Sequence, residues 1–176
     1  EAVMNCLNDW LAQTFMGQPS DIGEDRAMTN MILKQGYHVL FQQNAIVYTN
    51  IPEKFPNLYR MFIRWERSNV RENISMTKFA FTDFRLGSKT GTRIVLLDQW
   101  LKLIFAYPLT ILMLLFLIKQ PILFTISTLF GILIFSSVQA IFYAKKHEIK
   151  ESFWAYPYSL FYAFTLFWIT PYAIAT

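Results

Sequence analysis

The sequence predicts a chain in two parts: a mixed α/β globular half, then an interfacial helix and about three transmembrane α-helices. Three observations carry this reading. The 176 residues are 54% hydrophobic, 18% aromatic and only 16% charged, less charge than an ordinary soluble domain carries. The charge is unevenly placed: residues 94–176 hold five lysines, three acids and no arginine, and residues 1–93 hold the other eleven basic residues and nine acids. The second part also contains three apolar stretches, each near the roughly 20 residues that cross a ~30 Å hydrocarbon core.

The first half reads as α/β in the order of its elements. Val3, Leu7, Trp10, Leu11 and Phe15 recur at helical spacing and predict one amphipathic helix. Gly17, Pro19 and Ser20 break it. A second helix is expected to begin near Asp21, with Asp21 and Glu24 at capping-box spacing. Met28, Met31 and Ile32 would face a core, and Gly36 would close the helix in a left-handed cap. YHVLFQ and AIVYTN then predict two short strands, with turn chemistry at Gln43-Asn44 between them. These elements place one domain over residues 1–53. The single cysteine, Cys6, has no partner for an intramolecular disulfide. No signal peptide is visible and the chain starts at Glu1, so a segment of a longer protein is expected.

Residues 54–93 predict an amphipathic helix and a connector. Pro52 and Pro56 mark its start, and Leu58, Met61, Phe62 and Trp65 form an apolar stripe opposite Arg60, Arg67 and Arg71. From Lys54 to Arg93 there are nine basic and three acidic residues, which suits a membrane surface or a phosphate-rich ligand rather than nucleic acid. Residues 94–176 predict spans at about 94–118, 122–144 and 153–176. The first is interrupted by Asp98 and Lys102. Lys119-Gln120-Pro121 would make a tight antiparallel hairpin. The Lys/Arg bias puts the globular half and KKHEIKE (Lys145–Glu151) on the cytoplasmic side and Lys119 outside.

Two clusters are candidates for chemistry. Glu24 and Asp25 are either ordinary first-turn acids, favoured by the helix dipole, or include a general base whose ionised form Arg26 favours. In RWERSNVRE, Trp65 is either an interfacial anchor or a platform for a sugar ring, with Arg64 beside it for a pyrophosphate. Thr90–Arg93 (TGTR) reads as a polar turn leading into the first span, and His38 and His147 read as surface or structural residues.

PSDIGEDR…TNMILKQGY, AIVYTNIPEKF and RWERSNVRE, followed by membrane helices, occur in an order that resembles the family-2 processive glycosyltransferases. The branch it resembles contains hyaluronan synthases and the nodulation chitooligosaccharide synthases, which are N-acetylglucosaminyltransferases. The resemblance runs from about Trp10 to Glu72, and beyond Ile94 only the membrane pattern supports it. It implies the C-terminal part of a GT-A catalytic domain resting on its own membrane helices.

The same resemblance assigns roles. Asp25, the last acid of the G-[DE]-D motif, would deprotonate the acceptor hydroxyl, with Glu24 and Arg26 completing the motif. Arg64 would contact the nucleotide pyrophosphate and Trp65 would lie under the acceptor sugar. Met61 stands where the family has glutamine, and a thioether cannot hydrogen-bond as an amide does; Arg60 is the neighbour able to compensate. The implied partners are a UDP-sugar donor, UDP-N-acetylglucosamine above all, a growing polysaccharide acceptor and the lipid bilayer. The implied cofactor is Mg²⁺ or Mn²⁺, held in the family by an upstream D-x-D that this chain does not contain. The implied setting is the plasma (inner) membrane with the catalytic part cytoplasmic. Trp154, Tyr158, Phe161 and Trp168 are either lipid-facing or stack on an exported sugar chain. The alternatives are a non-processive enzyme making a lipid-linked sugar, and a non-catalytic assembly or export subunit.

Overall fold

The structure, a computed structural model, describes residues 1–20, 22–42, 45–145 and 148–176. It comprises two compact units, one of Glu1–Phe105 with Thr170–Thr176 and one of Ala106–Ile169.

The first unit is built on helices, where an α/β arrangement was expected. Helix α1 spans Ala2–Leu11 and stops short of Phe15. Cys6 is its buried residue, while Val3 and Leu11 are exposed. Thr14–Phe15 (β1) and Gln18–Pro19 (β2) form a two-residue antiparallel ribbon. Its turn has positive φ at both Met16 (50°) and Gly17 (81°), as a tight hairpin of matching twist needs. These are the only strands among the described residues. The expected strands YHVLFQ and AIVYTN are irregular and mostly exposed, and their Gln43-Asn44 turn lies outside the described residues. The physical reason is that β-branched alternation specifies a strand only against a partner edge and a core, and these segments have neither here.

Helix α2 spans Glu24–Lys34, starting later than expected because Gly23, at φ 70°, occupies the cap position; Asp21 lies outside the described residues. Gly36, at φ 94°, closes the helix as expected, with its N–H 3.0 Å from the Leu33 carbonyl. The inward face differs from the expected one. Ala27 and Asn30 are buried, whereas Met28, Met31 and Ile32 are only half-buried.

Helix α3 spans Phe55–Ala80, with Pro56 in its first turn. Its expected apolar stripe is poorly buried: Leu58, Met61 and Phe62 are half-buried and Trp65 is exposed. The buried positions are Ile63, Ser68, Glu72, Asn73, Met76, Phe79 and Ala80, so the face packed on α2 is largely polar. Arg71 is turned inward rather than lying on a free cationic face. Its guanidinium donates to Glu72 Oε1 at 3.0 Å, to Ser20 Oγ and to the Ile22 carbonyl. Asn30 Nδ2 donates to the second Glu72 oxygen at 2.8 Å. The buried carboxylate therefore has a partner on each oxygen, as a desolvated charge requires.

Helix α4 spans Thr90–Lys119 and α5 spans Pro121–Ala144. Both are long and apolar enough to cross a membrane, and they match the first two expected spans. At 1.5 Å per residue α4 is about 45 Å long, some 15 Å more than the hydrocarbon core. Its polar first turns, with Arg93, Asp98 and Gln99, supply that surplus. Thr90–Arg93 is the first turn of this helix, not a separate turn leading into it. Arg93 reaches back to the end of α3 and donates through Nε to the Ala80 carbonyl (3.0 Å) and through Nη2 to the Phe81 carbonyl (3.5 Å). Met76, Phe79 and Ala80 meet Leu96 in a small apolar core, flanked by Leu33, Phe84 and Trp100.

In the second unit Gln120 alone joins α4 to α5. Phe116 and Phe124 meet edge to face at 5.8 Å beside the joint. Helix α5 packs along α6 (Ile149–Ser152) and α7 (Ala155–Thr165). Fully buried Ser136 donates to Ser159 Oγ at 2.9 Å and Ser137 meets the Tyr156 hydroxyl at 2.9 Å, polar contacts of the kind that join helices in lipid. The third expected span falls on Ile149–Thr165 and helix α8 (Ile169–Ala175), which together are long and apolar enough to cross a membrane as one span with a 45° bend at Leu166–Trp168. In KKHEIKE, Lys146 and His147 lie outside the described residues.

Candidate active site

The acid motif sits where α2 meets α3. Glu24 and Asp25 open α2 and both are exposed. The Arg26 backbone N–H donates to Asp25 Oδ1 at 2.8 Å, so the carboxylate folds onto the free amides of the helix start, where an anion is favoured. From α1, Trp10 Nε1 donates to the Glu24 carbonyl at 2.8 Å. These contacts fix the first turn of α2 from both sides.

Gly23 lets the turn approach α3 closely. A Cβ at this position would lie 1.6 Å from Ser68 Oγ and 2.5 Å from Ser68 Cβ. Beside this contact Arg26 enters the interface. Its guanidinium donates to Asn69 Oδ1, to Asn73 Oδ1 at 3.1 Å and to Gln99 Oε1 at 2.8 Å. Burial lowers the Arg26 pKa from its ordinary value, and the charges of Glu72, Asp25 and Glu66 oppose that shift. An arginine remains cationic under such conditions.

Arg64 and Trp65 lie on α3 one helical turn before Ser68 and Asn69, so by the four-residue repeat they share the face that receives the acid motif. They form no bond with Asp25. Arg64 and Arg60 are exposed, and neither has a hydrogen bond or ion pair among the described residues. Trp65 is 51% exposed and packs edge to face with Phe62 at 5.7 Å. Met61 is half-buried on the same helix. Exposed cations and an exposed indole are side chains that can meet a phosphate and a sugar ring, and an exposed carboxylate is one that can accept a proton from a hydroxyl.

A cleft of about 290 Å³ lies on the Glu72 side of the interface and is lined by Gln13, Lys34, Arg71 and Lys78 among others, but not by Asp25, Arg64 or Trp65. Among the described residues no three His, Cys, Asp or Glu side chains come together as a metal site. His38 is a surface residue whose Nδ1 lies 3.2 Å from Arg85 Nη1; His147 lies outside the described residues. Trp154 and Tyr158 are exposed, Phe161 is half-buried, and Trp168 is half-buried with its Nε1–H on the Thr165 carbonyl at 2.9 Å.

Sequence reasoning did not single out Gly23, Ser68, Asn69, Asn73 or Gln99. The available signal was the run of small and amide residues at helical spacing on α3, Ser68-Asn69 and Asn73, which is unusual for a helix face read as apolar.

No family profile matches the chain, and no solved structure does. Curated relatives do match. The chain is 38% identical over 71 residues, 40% of its length, to an N-acetylglucosaminyltransferase of Rhizobium meliloti (strain 1021), of which it covers 17%. It is 39% identical over 66 residues, 38% of its length, to an N-acetylglucosaminyltransferase of Bradyrhizobium diazoefficiens, of which it covers 14%. A third match, to the N-acetylglucosaminyltransferase of Mesorhizobium japonicum, is 34% identical over 73 residues, with 42% of this chain and 17% of that protein covered. The chain thus spans about one-sixth of the length of the curated relatives it matches, and all three carry the same enzymatic name.

Proposed function

We propose that this chain carries the acceptor side of a membrane-embedded, inverting glycosyltransferase that uses UDP-N-acetylglucosamine and extends a β-linked polymer such as a chitin oligomer processively. One observation carries the reading: the Glu24-Asp25-Arg26 turn is seated on α3 one turn beyond Arg64-Trp65, in a chain similar to several proteins named N-acetylglucosaminyltransferase. The two long apolar helices, α4 and α5, agree with a membrane enzyme.

In this mechanism Asp25 takes the proton from the acceptor hydroxyl as its oxygen attacks the anomeric carbon, and the bond to UDP breaks on the opposite face. Arg64 holds the pyrophosphate and offsets the charge that develops on departing UDP. Trp65 presents its exposed ring to the acceptor sugar. Arg26, anchored in the interface, fixes the turn that carries Asp25. The described residues do not by themselves form a centre for Mg²⁺ or Mn²⁺, and no step here passes through one. The segments YHVLFQ and AIVYTN belong, in this reading, to a GT-A sheet whose other strands lie in the part of the enzyme that the matched relatives have and this chain does not cover.

The test is transfer from radiolabelled UDP-N-acetylglucosamine by membranes carrying the full-length enzyme. Labelled oligomer that chitinase degrades is expected. Asp25→Asn should lower turnover by roughly 10²–10⁴-fold, as loss of a positioned base does, with UDP-sugar binding retained. Near-normal turnover by that variant would remove Asp25 from the role. A single sugar addition to lipid would replace polymerisation by the non-processive reading.

A further inference from the structure

The Arg26 guanidinium is held by three amide oxygens. Asn69 and Asn73 come from α3 and Gln99 from the polar first turns of α4. Asn73 is 2% exposed, and Arg26, Asn69 and Gln99 are half-buried. No carboxylate forms an ion pair with Arg26 among the described residues. This arrangement gives the half-buried guanidinium three uncharged acceptors.

Of the three acceptors, only Gln99 lies outside α3. The helix that supplies it goes on to become the first candidate membrane span. Its neighbourhood on α4 is fixed by other contacts to α3: Trp100 Nε1 donates to Thr77 Oγ1 at 2.8 Å, and Arg93 holds the Ala80 carbonyl. Gln99 is thus presented to Arg26 from a clamped helix.

We infer that Gln99 is a positioning residue for the transfer reaction: through Arg26 it ties the turn bearing Asp25 to the base of the first membrane helix. The inference rests on the function proposed above. Asn69 and Asn73 fix Arg26 relative to α3. Gln99 adds the third direction, so the guanidinium, its backbone N–H on Asp25 and the carboxylate move as one body with α4. Without that bond Arg26 keeps its two contacts on α3 and gains freedom to swing, and the first turn of α2 loosens.

The experiment uses the full-length enzyme in nanodiscs. Gln99→Met keeps the length and shape of the side chain and removes the acceptor. It is expected to lower kcat by roughly tenfold or more, since small misplacements of a catalytic group cost on that scale, while KM for the UDP-sugar stays within about twofold. Gln99→Glu keeps an oxygen on the same N–H and should hold kcat within about threefold of wild type. A purely structural residue would instead change the folded yield of both variants, with no selective loss of kcat. Hydrogen exchange of the peptide containing residues 24–34 gives a reading that needs no turnover, and faster exchange is expected in Gln99→Met. The inference is overturned if Gln99→Met retains full kcat, or if exchange over α2 is unchanged. Its failure is distinguishable from failure of the proposed function. In the first case wild type transfers sugar and Asp25→Asn does not, while Gln99→Met behaves as wild type; in the second, wild type and Asp25→Asn are alike in transfer.

Discussion

Replacing Gly23 by alanine puts a methyl group into the close approach of the α2 turn to Ser68 on α3. The new Cβ would stand 1.6 Å from Ser68 Oγ and 2.5 Å from Ser68 Cβ. Rotating the serine hydroxyl relieves the first clash and leaves the second, because Ser68 Cβ is fixed to the α3 backbone. Restoring ordinary carbon–carbon separation therefore needs a shift of roughly 1 Å between α2 and α3. Alanine must also adopt φ near 70°, which costs a residue with a Cβ about 1–2 kcal/mol. Overpacking adds typically 1–3 kcal/mol, so Gly23→Ala is expected to destabilise by roughly 2–5 kcal/mol. Denaturant unfolding in micelles, followed by tryptophan fluorescence, measures this. Pairing it with Ser68→Gly removes the obstructing Cβ, and a double-mutant cycle should return a favourable coupling of about 1–3 kcal/mol. The same displacement moves Asp25, and a 1 Å error at a reacting group costs about 10²-fold in rate. A Gly23→Ala protein with wild-type stability and turnover would refute both the contact and the placement of the acid turn.

Glu72→Leu should cost about 3–5 kcal/mol, because it strips a buried partner from Arg71 and leaves the Asn30 amide facing an apolar group; unfolding within 0.5 kcal/mol of wild type would show that the pair contributes little. Met61→Gln should leave turnover equal or higher, since the resembled family has glutamine there; a loss of both activity and stability would show that the half-buried Met61 is integrated into an altered site. Topology is testable with cysteine at Lys119 and at Lys145 in a Cys6→Ala background. In intact cells an impermeant thiol reagent should label position 119 and not position 145, and the opposite pattern would reverse the assigned orientation.

The apolar helices were legible because an apolar run of that length with so few charges admits few other structures. The cap at Gly36 was legible for a local reason: only the residues next to it decide its backbone. The strands were not. YHVLFQ and AIVYTN have the right residues for a sheet, but pairing is a long-range property and their side chains stay exposed. Hydrophobic periodicity also misled on α2 and α3, since their shared surface buries Asn30, Ser68, Glu72 and Asn73 while Met28, Met31, Met61 and Phe62 are only half-buried. For the candidate site, the motif order is what singles out the acids, Arg64 and Trp65 for a role. It could not locate Gln99, which lies 73 positions from the arginine it contacts, because nothing local to either residue encodes that separation.

The clasp of Arg93 on the last carbonyls of α3 has an evolutionary corollary. It closes the joint between α3 and α4 by a side chain, so the peptide running between them need not measure the gap. Lengthening a loop whose ends are already fixed costs only about 0.6 kcal/mol for each doubling, and Leu86, at the tip of that peptide, is fully exposed. The joint at Gln120 has no such slack, since a single residue turns α4 into α5. Insertions among related chains should therefore collect around Leu86 and avoid Gln120, and the first of these positions is where an epitope or a small folded module can be spliced in without disturbing the helices on either side.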